Sequence, residues 1–139
     1  MTEPTSGATI YVDANILIYF IDAEGDFAER AADFFRRSHE AGARLVTSEL
    51  TMAECLYKPH RDGDGARVAL YETAFKSGFI ALYPLSGDLA VRAAEVGGSL
   101  GLKLVDAIHY LSALEAGCDV FVTADRRFRS CEQMEVIGI

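Results

Sequence analysis

The sequence predicts an α/β domain built on a mainly parallel five-stranded sheet with helices on both faces. Short apolar runs recur at 9–13, 43–47, 79–83 and 119–123, with a weaker one at 134–138, and their length and composition are those of strands. The segments between them mostly carry helical spacing, so strand and helix alternate, which favours parallel pairing through right-handed crossovers. With 139 residues, half of them apolar, the chain is long enough to bury one core without staples.

In chain order, the opening MTEPTSGA has neither the basic start nor the apolar centre of a secretory signal. It reads as a flexible tail over residues 1–8, leaving 9–139 as a single domain. The first strand, around IYV, runs into Asp13 and then into a second apolar run from Ile16 to Phe20. After the second strand, Ser48 is placed to cap a helix through TMAECLYK, with Glu49 in its positive first turn and Pro59 expected to end it. RDGDG, residues 61 to 65, is a turn before the helix ARVALYETAFK. Ser86, Gly87 and Asp88 start another helix after the third strand. Gly97, Gly98 and Gly101 separate that one from LKLVDAIHYLSALEAG, which Gly117 closes. There is no repeat, low-complexity tract or linker.

The net charge of −8 argues against a broad basic face for nucleic acid. It leaves room for such a partner if the acids gather at a metal site and the basic residues act locally. No run of about 18 uncharged apolar residues exists, so no membrane span is expected. Cys55, Cys118 and Cys131 are odd in number and lack paired short spacing, which predicts reduced thiols packed in a cytoplasmic protein.

Four carboxylates carry the chemistry. In sheets of this kind ligands sit outside the carboxyl ends of the strands. Asp13 stands at one such end and Asp125, after VFVTA, at another. Asp106, among Leu104, Val105, Ala107 and Ile108, and Glu54, among Met52, Ala53, Cys55 and Leu56, read as mid-helix acids in apolar surroundings. An ionised carboxylate there is costly unless paired or bound to a metal. Singly, each has a plainer reading: Asp13 could cap the segment starting at Ala14, Asp125 could cap a short helix through Arg126 to Phe128, and the other two could pair with lysine or arginine. Taken together, four converging acids require a cation. Carboxylate oxygens select hard ions, Mg²⁺ first and Mn²⁺ as a substitute, and such ions polarise phosphoryl oxygens and activate water.

Around these acids, Asn15 and Thr123 are placed to hydrogen-bond the strand-end carboxylates, and His109, three residues past Asp106, to orient one of them. His39 and His60 read as surface residues. Arg126, Arg127 and Arg129 follow Asp125, and Lys58 and Arg61, with His60 and Arg67, follow Glu54. These are the candidate contacts to nucleic-acid backbone phosphates.

IYVDANILIYF, TSELTMAECL and LKLVDAIHYLSALEAGCDVFVTADRRF together resemble a PIN-domain ribonuclease of the VapC toxin type, over about residues 9 to 138. The third stretch is the most specific, with Asp-Ala-x-His in a helix, a small-residue turn, a strand and Thr-x-Asp-x-x-Phe. The resemblance implies an α/β/α sandwich with strand order 3-2-1-4-5. It also implies a Mg²⁺-dependent endoribonuclease in which Asp13 and Asp106 bind metal most directly and Glu54 and Asp125 complete the site. A homodimer, a role as toxin of a type II toxin–antitoxin pair, and inhibition by a VapB-type antitoxin whose tail enters the groove follow from it too. Glu49 is a rival for the second acid, but its first-turn position favours Glu54.

Two other classes compete. A phosphoacceptor signalling domain is also a single acidic α/β domain with a strand-end Asp, but it is expected to carry paired acids after the first strand and a lysine after a late one. Here Ala14 follows Asp13, and TADRRF supplies only arginines. An inactive PIN-like interaction module is the third reading, against which the presence of all four acids counts.

Overall fold

The computed structural model describes residues 7–22 and 24–139. Most of the expected tail, residues 1–6, lies outside them. Five strands, β1 (Thr9–Val12), β2 (Arg44–Ser48), β3 (Ala81–Tyr83), β4 (Val120–Thr123) and β5 (Glu135–Gly138), form one sheet. Every pairing is parallel, and the order is β3-β2-β1-β4-β5. Among the described residues there are six helices, α1 (Ala14–Asp22), α2 (Gly25–Glu40), α3 (Glu49–Arg61), α4 (Gly65–Lys76), α5 (Gly87–Val96) and α6 (Leu104–Glu115).

The central strands are covered on both sides, which is why TIYV and VFVT read as unbroken apolar runs instead of alternating ones. Their side chains divide by parity. Ile10, Val12 and Val122 pack with Ile16, Leu17, Phe34, Cys55 and Tyr71, from α1 to α4. Tyr11 and Phe121 face the other way, with Tyr110, Phe128 and Met134. Leu89 and Ala93 of α5 meet Ala107, Ile108 and Leu111 of α6 in a further cluster. The result is a three-layer α/β/α arrangement.

Local chemistry sets the helix starts. The hydroxyl of Ser48 accepts the N–H of Leu50 at 3.0 Å, the carboxylate of Asp64 that of Arg67 at 3.0 Å, and the hydroxyl of Ser86 that of Leu89 at 3.1 Å. Gly117, at φ +71°, closes α6 in the left-handed conformation that glycine adopts without strain.

Three expectations are corrected. Pro59 does not end its helix: α3 continues to Arg61. A proline so near the C-terminus removes a single donor, and Asp62 N–H still reaches Lys58 O at 2.9 Å. No short helix follows Asp125, since residues 126–127 form a turn. Asp106 is not mid-helix: α6 begins at Leu104, so Asp106 lies in the first turn, and Leu104 and Val105 beside it are exposed. Its carboxylate therefore stands at the positive end of the helix dipole, outside an apolar jacket.

Candidate active site

Strand order places the ends of β1 and β4 side by side, and the backbone pairing runs to the last position, with Asp13 N–H donating to Val122 O at 3.0 Å. Asp13 is 6% exposed. Its Oδ1 accepts the N–H of Ala14 at 2.9 Å, so it also serves the start of α1, while Oδ2 accepts the Thr123 hydroxyl at 2.6 Å and Asn15 Nδ2 at 3.3 Å. Burial raises the pKa of Asp13 above its ordinary value and the charge of Glu54 adds to this, against the opposing pull of His109, Thr123 and Ala14.

Thr123 is the hub. Besides donating to Asp13, its hydroxyl accepts Asp125 N–H at 3.0 Å, which explains the Thr-x-Asp spacing: one oxygen fixes both strand-end acids. Asn15 closes the arrangement by accepting Ala124 N–H at 3.3 Å. Asp125 then accepts the N–H of Arg127 at 2.9 Å and its guanidinium through both oxygens, Nε at 3.0 Å to each. This pairing with Arg127 is the main reason the Asp125 carboxyl is held below its ordinary value.

Glu54 reaches the site from α3. Its Oε1 lies 2.5 Å from Nε2 of His109, which is 1% exposed. On the far side, His109 Nδ1 is 2.6 Å from the hydroxyl of Tyr11, which accepts Ser48 N–H at 3.1 Å. In the neutral imidazole this fixes the tautomer: Tyr11 donates to Nδ1, and Nε2–H points at Glu54. Burial, then the charge of Asp13, drives the Tyr11 phenol far above its usual range, so it remains a donor. Burial also works against charge on His109, but the bond to Glu54 and the charges of Asp13, Glu54 and Asp106 outweigh it and raise its pKa. Glu49, the rival acid, is turned away and accepts Leu85 N–H at 2.9 Å.

Asp106 enters from the first turn of α6, its side chain 18% exposed. Its Oδ2 is 3.1 Å from Arg127 Nη2, an ion-pair contact, yet this buried oxygen makes no hydrogen bond of good geometry. Gly97 permits the close seating of this turn: a Cβ on it would stand 2.7 Å from Ala93 O and 3.0 Å from Cβ of Ala107, the neighbour of Asp106.

The four acids thus lie around His109 and Arg127: Asp13 is held by Thr123 and Asn15, Glu54 meets His109, and Asp106 and Asp125 share Arg127. Among the described residues, no three His, Cys, Asp or Glu side chains are gathered as a set that could hold an ion. The donor chemistry still fits a hard cation, since Asp13 is buried and the Oδ2 of Asp106 is left without a donor.

The basic residues divide. Arg127 faces inward to Asp106 and Asp125, and Arg129 donates to the carbonyls of Arg126 and Phe128. Arg126 and Lys58 are exposed, and Arg61 pairs with Asp62 at the surface. His39 and His60 are exposed. A cleft of about 320 Å³ beside Glu54 is lined by Asp22, Glu24, Asp62 and Asp64 as well as Lys58 and Arg67. Burial pushes the thiols of Cys55 and Cys118 up to about 12, as befits packing residues.

Sequence reasoning missed Tyr11, which it read only as strand core. The signal was there, because Tyr11 and Asp13 stand two apart in extended chain and share a face. Thr47 and Thr51 were missed too; their buried hydroxyls lie 2.7 Å apart, and that of Thr47 donates to Val12 O at 2.8 Å.

The PIN domain family model matches residues 10–132. The chain belongs to the PIN-domain family. No curated protein sequence matches it. Among solved structures, this PIN domain is similar to VapBC2 from Rickettsia felis bound to a DNA fragment from its promoter, with TM-score 0.68 and 15% identity over 94% of this chain and 98% of the other. It is also similar to VapC20 from Mycobacterium tuberculosis, a toxin that cleaves the sarcin–ricin loop, with TM-score 0.69 and 16% identity over 81% and 86%. A toxin–antitoxin complex from Klebsiella pneumoniae matches with TM-score 0.64 and 20% identity over 92% and 95%. At these identities the likeness is one of fold. Among the described residues, no helix is long and apolar enough to cross a membrane.

Proposed function

We propose that this PIN domain is a Mg²⁺-dependent endoribonuclease, with Mn²⁺ as a substitute ion, and the toxin of a type II toxin–antitoxin pair. One observation carries the reading: Asp13 and Asp125, just past the ends of β1 and β4, and Glu54 and Asp106, from α3 and α6, lie around His109 and Arg127 at the carboxyl edge of the sheet. Asp13 and Asp106 would hold the ion, the first because it is buried, the second because its Oδ2 lacks a donor. When bound, such an ion polarises a phosphoryl oxygen and lowers the pKa of water.

The chain's own residues do the rest. Thr123 and Asn15 keep the Asp13 oxygens aimed, and Tyr11 holds His109 so that His109 can orient Glu54. Asp125, completing the set, is fixed by the same Thr123 hydroxyl. Arg126, Arg129 and Arg61 lie at the surface, where they would meet backbone phosphates, whereas Lys58 lines the acidic cleft beside Glu54.

The toxin role is supported by the toxin–antitoxin complexes among the similar structures. The cleft beside Glu54 adds support for a VapB-type antitoxin tail: Asp22, Glu24, Glu54, Asp62 and Asp64 outnumber Lys58 and Arg67 there, which suits a cationic segment better than a phosphate backbone. A homodimer and a cytoplasmic location belong to the same reading.

The test is to incubate the purified chain with cellular RNA and map new 5′ ends, with Mg²⁺, with chelator, and with Asp13→Asn. Cleavage that needs Mg²⁺ and disappears in the variant supports the reading. Full cleavage under chelator, or none under any condition, removes it.

A further inference from the structure

Of the three arginines that follow Asp125, Arg127 is the one that the fold turns into the acid site. Its Nε and Nη2 hold both oxygens of Asp125, and Nη2 also lies 3.1 Å from Oδ2 of Asp106, the buried oxygen with no well-formed hydrogen bond. A guanidinium there does part of what a divalent ion would do, neutralising two carboxylates that otherwise repel. The two cannot share the place, since both require the same oxygen lone pairs and carry like charge. The side chain is 49% exposed, so it has an open path outward.

We propose that Arg127 competes with the divalent cation for Asp106 and Asp125, so that ion binding requires the guanidinium to swing out. Arg127 thereby sets how much free cation the site needs before it loads. The proposal rests on the metal-dependent reading above. It differs from a general effect of positive charge, because Arg129, two residues on, bears the same charge but is bonded to the carbonyls of Arg126 and Phe128.

The test is Mn²⁺ binding, followed by calorimetry and by the electron paramagnetic resonance of the free ion, on the full chain and four variants. R127A is expected to bind Mn²⁺ about tenfold more tightly than the parent, with R127K intermediate because an ammonium cannot bridge two carboxylates as a planar fork does. R129A is expected to change affinity by less than about twofold, because solvent and salt screen a charge that touches none of the acids. D13N is expected to abolish binding. If D13N abolishes binding while R127A binds no more tightly than the parent, the displacement proposal falls and the metal reading stands. Equal strengthening by R127A and R129A also overturns it, as long-range charge alone would then suffice. If the parent and every variant fail to bind Mn²⁺, both readings fall together.

Discussion

The two halves of the acid site are built by opposite means. On one side, Asp13 and Glu54 are held by groups the sheet and helix layers fix in place: the Thr123 hydroxyl, Asn15, and the buried line from Ser48 N–H through Tyr11 to His109. On the other, Asp106 and Asp125 are tied through Arg127, a long, half-exposed side chain. The first half is held by short, buried groups, whereas the second hangs on one long side chain that is 49% exposed. An ion binding to these acids would find its fixed ligand in the first half and its point of entry in the second.

The comparison can be broken at several places. The largest expected effect is on catalysis: Asp13→Asn and Asp106→Asn are each expected to slow RNA cleavage on the order of a thousandfold. Asp125→Asn, with its carboxylate already shared with Arg127, should cost about tenfold, in keeping with a supporting role. Single-turnover rates on one RNA would check this, and equal losses for Asp13 and Asp125 would contradict the division.

Next comes stability. Tyr11→Phe strands Ser48 N–H and His109 Nδ1 in the interior, and unpaired buried groups cost about 1–3 kcal/mol. Urea denaturation should show that loss. Gly97→Ala pushes a methyl against Ala93 O and the Ala107 side chain, and overpacking of this kind costs about 1–3 kcal/mol. It should also lower activity by shifting the turn that carries Asp106, a double effect that a purely structural glycine elsewhere would not give.

The smallest effect is on pH. Burial raises the folded-state pKa of Asp13, so its protonated form favours the fold and that contribution is lost as pH rises through the raised value. Asp13→Asn should therefore raise the melting temperature by a few degrees at neutral pH, and the gain should vanish as the parent protonates in acid. Asp125 behaves oppositely: paired with Arg127, its pKa is lowered, and its contribution persists above the ordinary carboxylate value and is lost as pH falls through the lowered one. Melting curves across pH for both Asn variants would show whether the two halves part in this way.

Much of this was legible in the sequence, for identifiable reasons. The central strands, buried on both faces, leave unbroken apolar runs, and an acid at the end of such a run invites a functional question; the half-exposed edge strands β3 and β5 were placed within about two residues on weaker patterns. Ser48 and Ser86 advertised their helices because capping is local chemistry. Where a helix boundary depended on tertiary contacts, the sequence misled. Asp106 looked mid-helix because Leu104 and Val105 are apolar, yet both are exposed at a helix start where Lys103, the N-cap residue, makes no side-chain capping bond. Pro59 looked like a stop, but one lost bond in the last turns is tolerable. The inward turn of Arg127 was not visible either, since nothing in DRRF distinguishes one arginine from its neighbour until the turn after Asp125 is built.

The most direct test of the central claim is a crystal of the chain soaked in Mn²⁺ and measured at the manganese absorption edge. An anomalous peak within coordination distance of carboxylate oxygens of both Asp13 and Asp106, with the Arg127 guanidinium moved off Asp106, is the predicted result. A peak confined to other surface acids, or Arg127 still bridging Asp106 and Asp125 with no peak beside Asp13, would contradict the account.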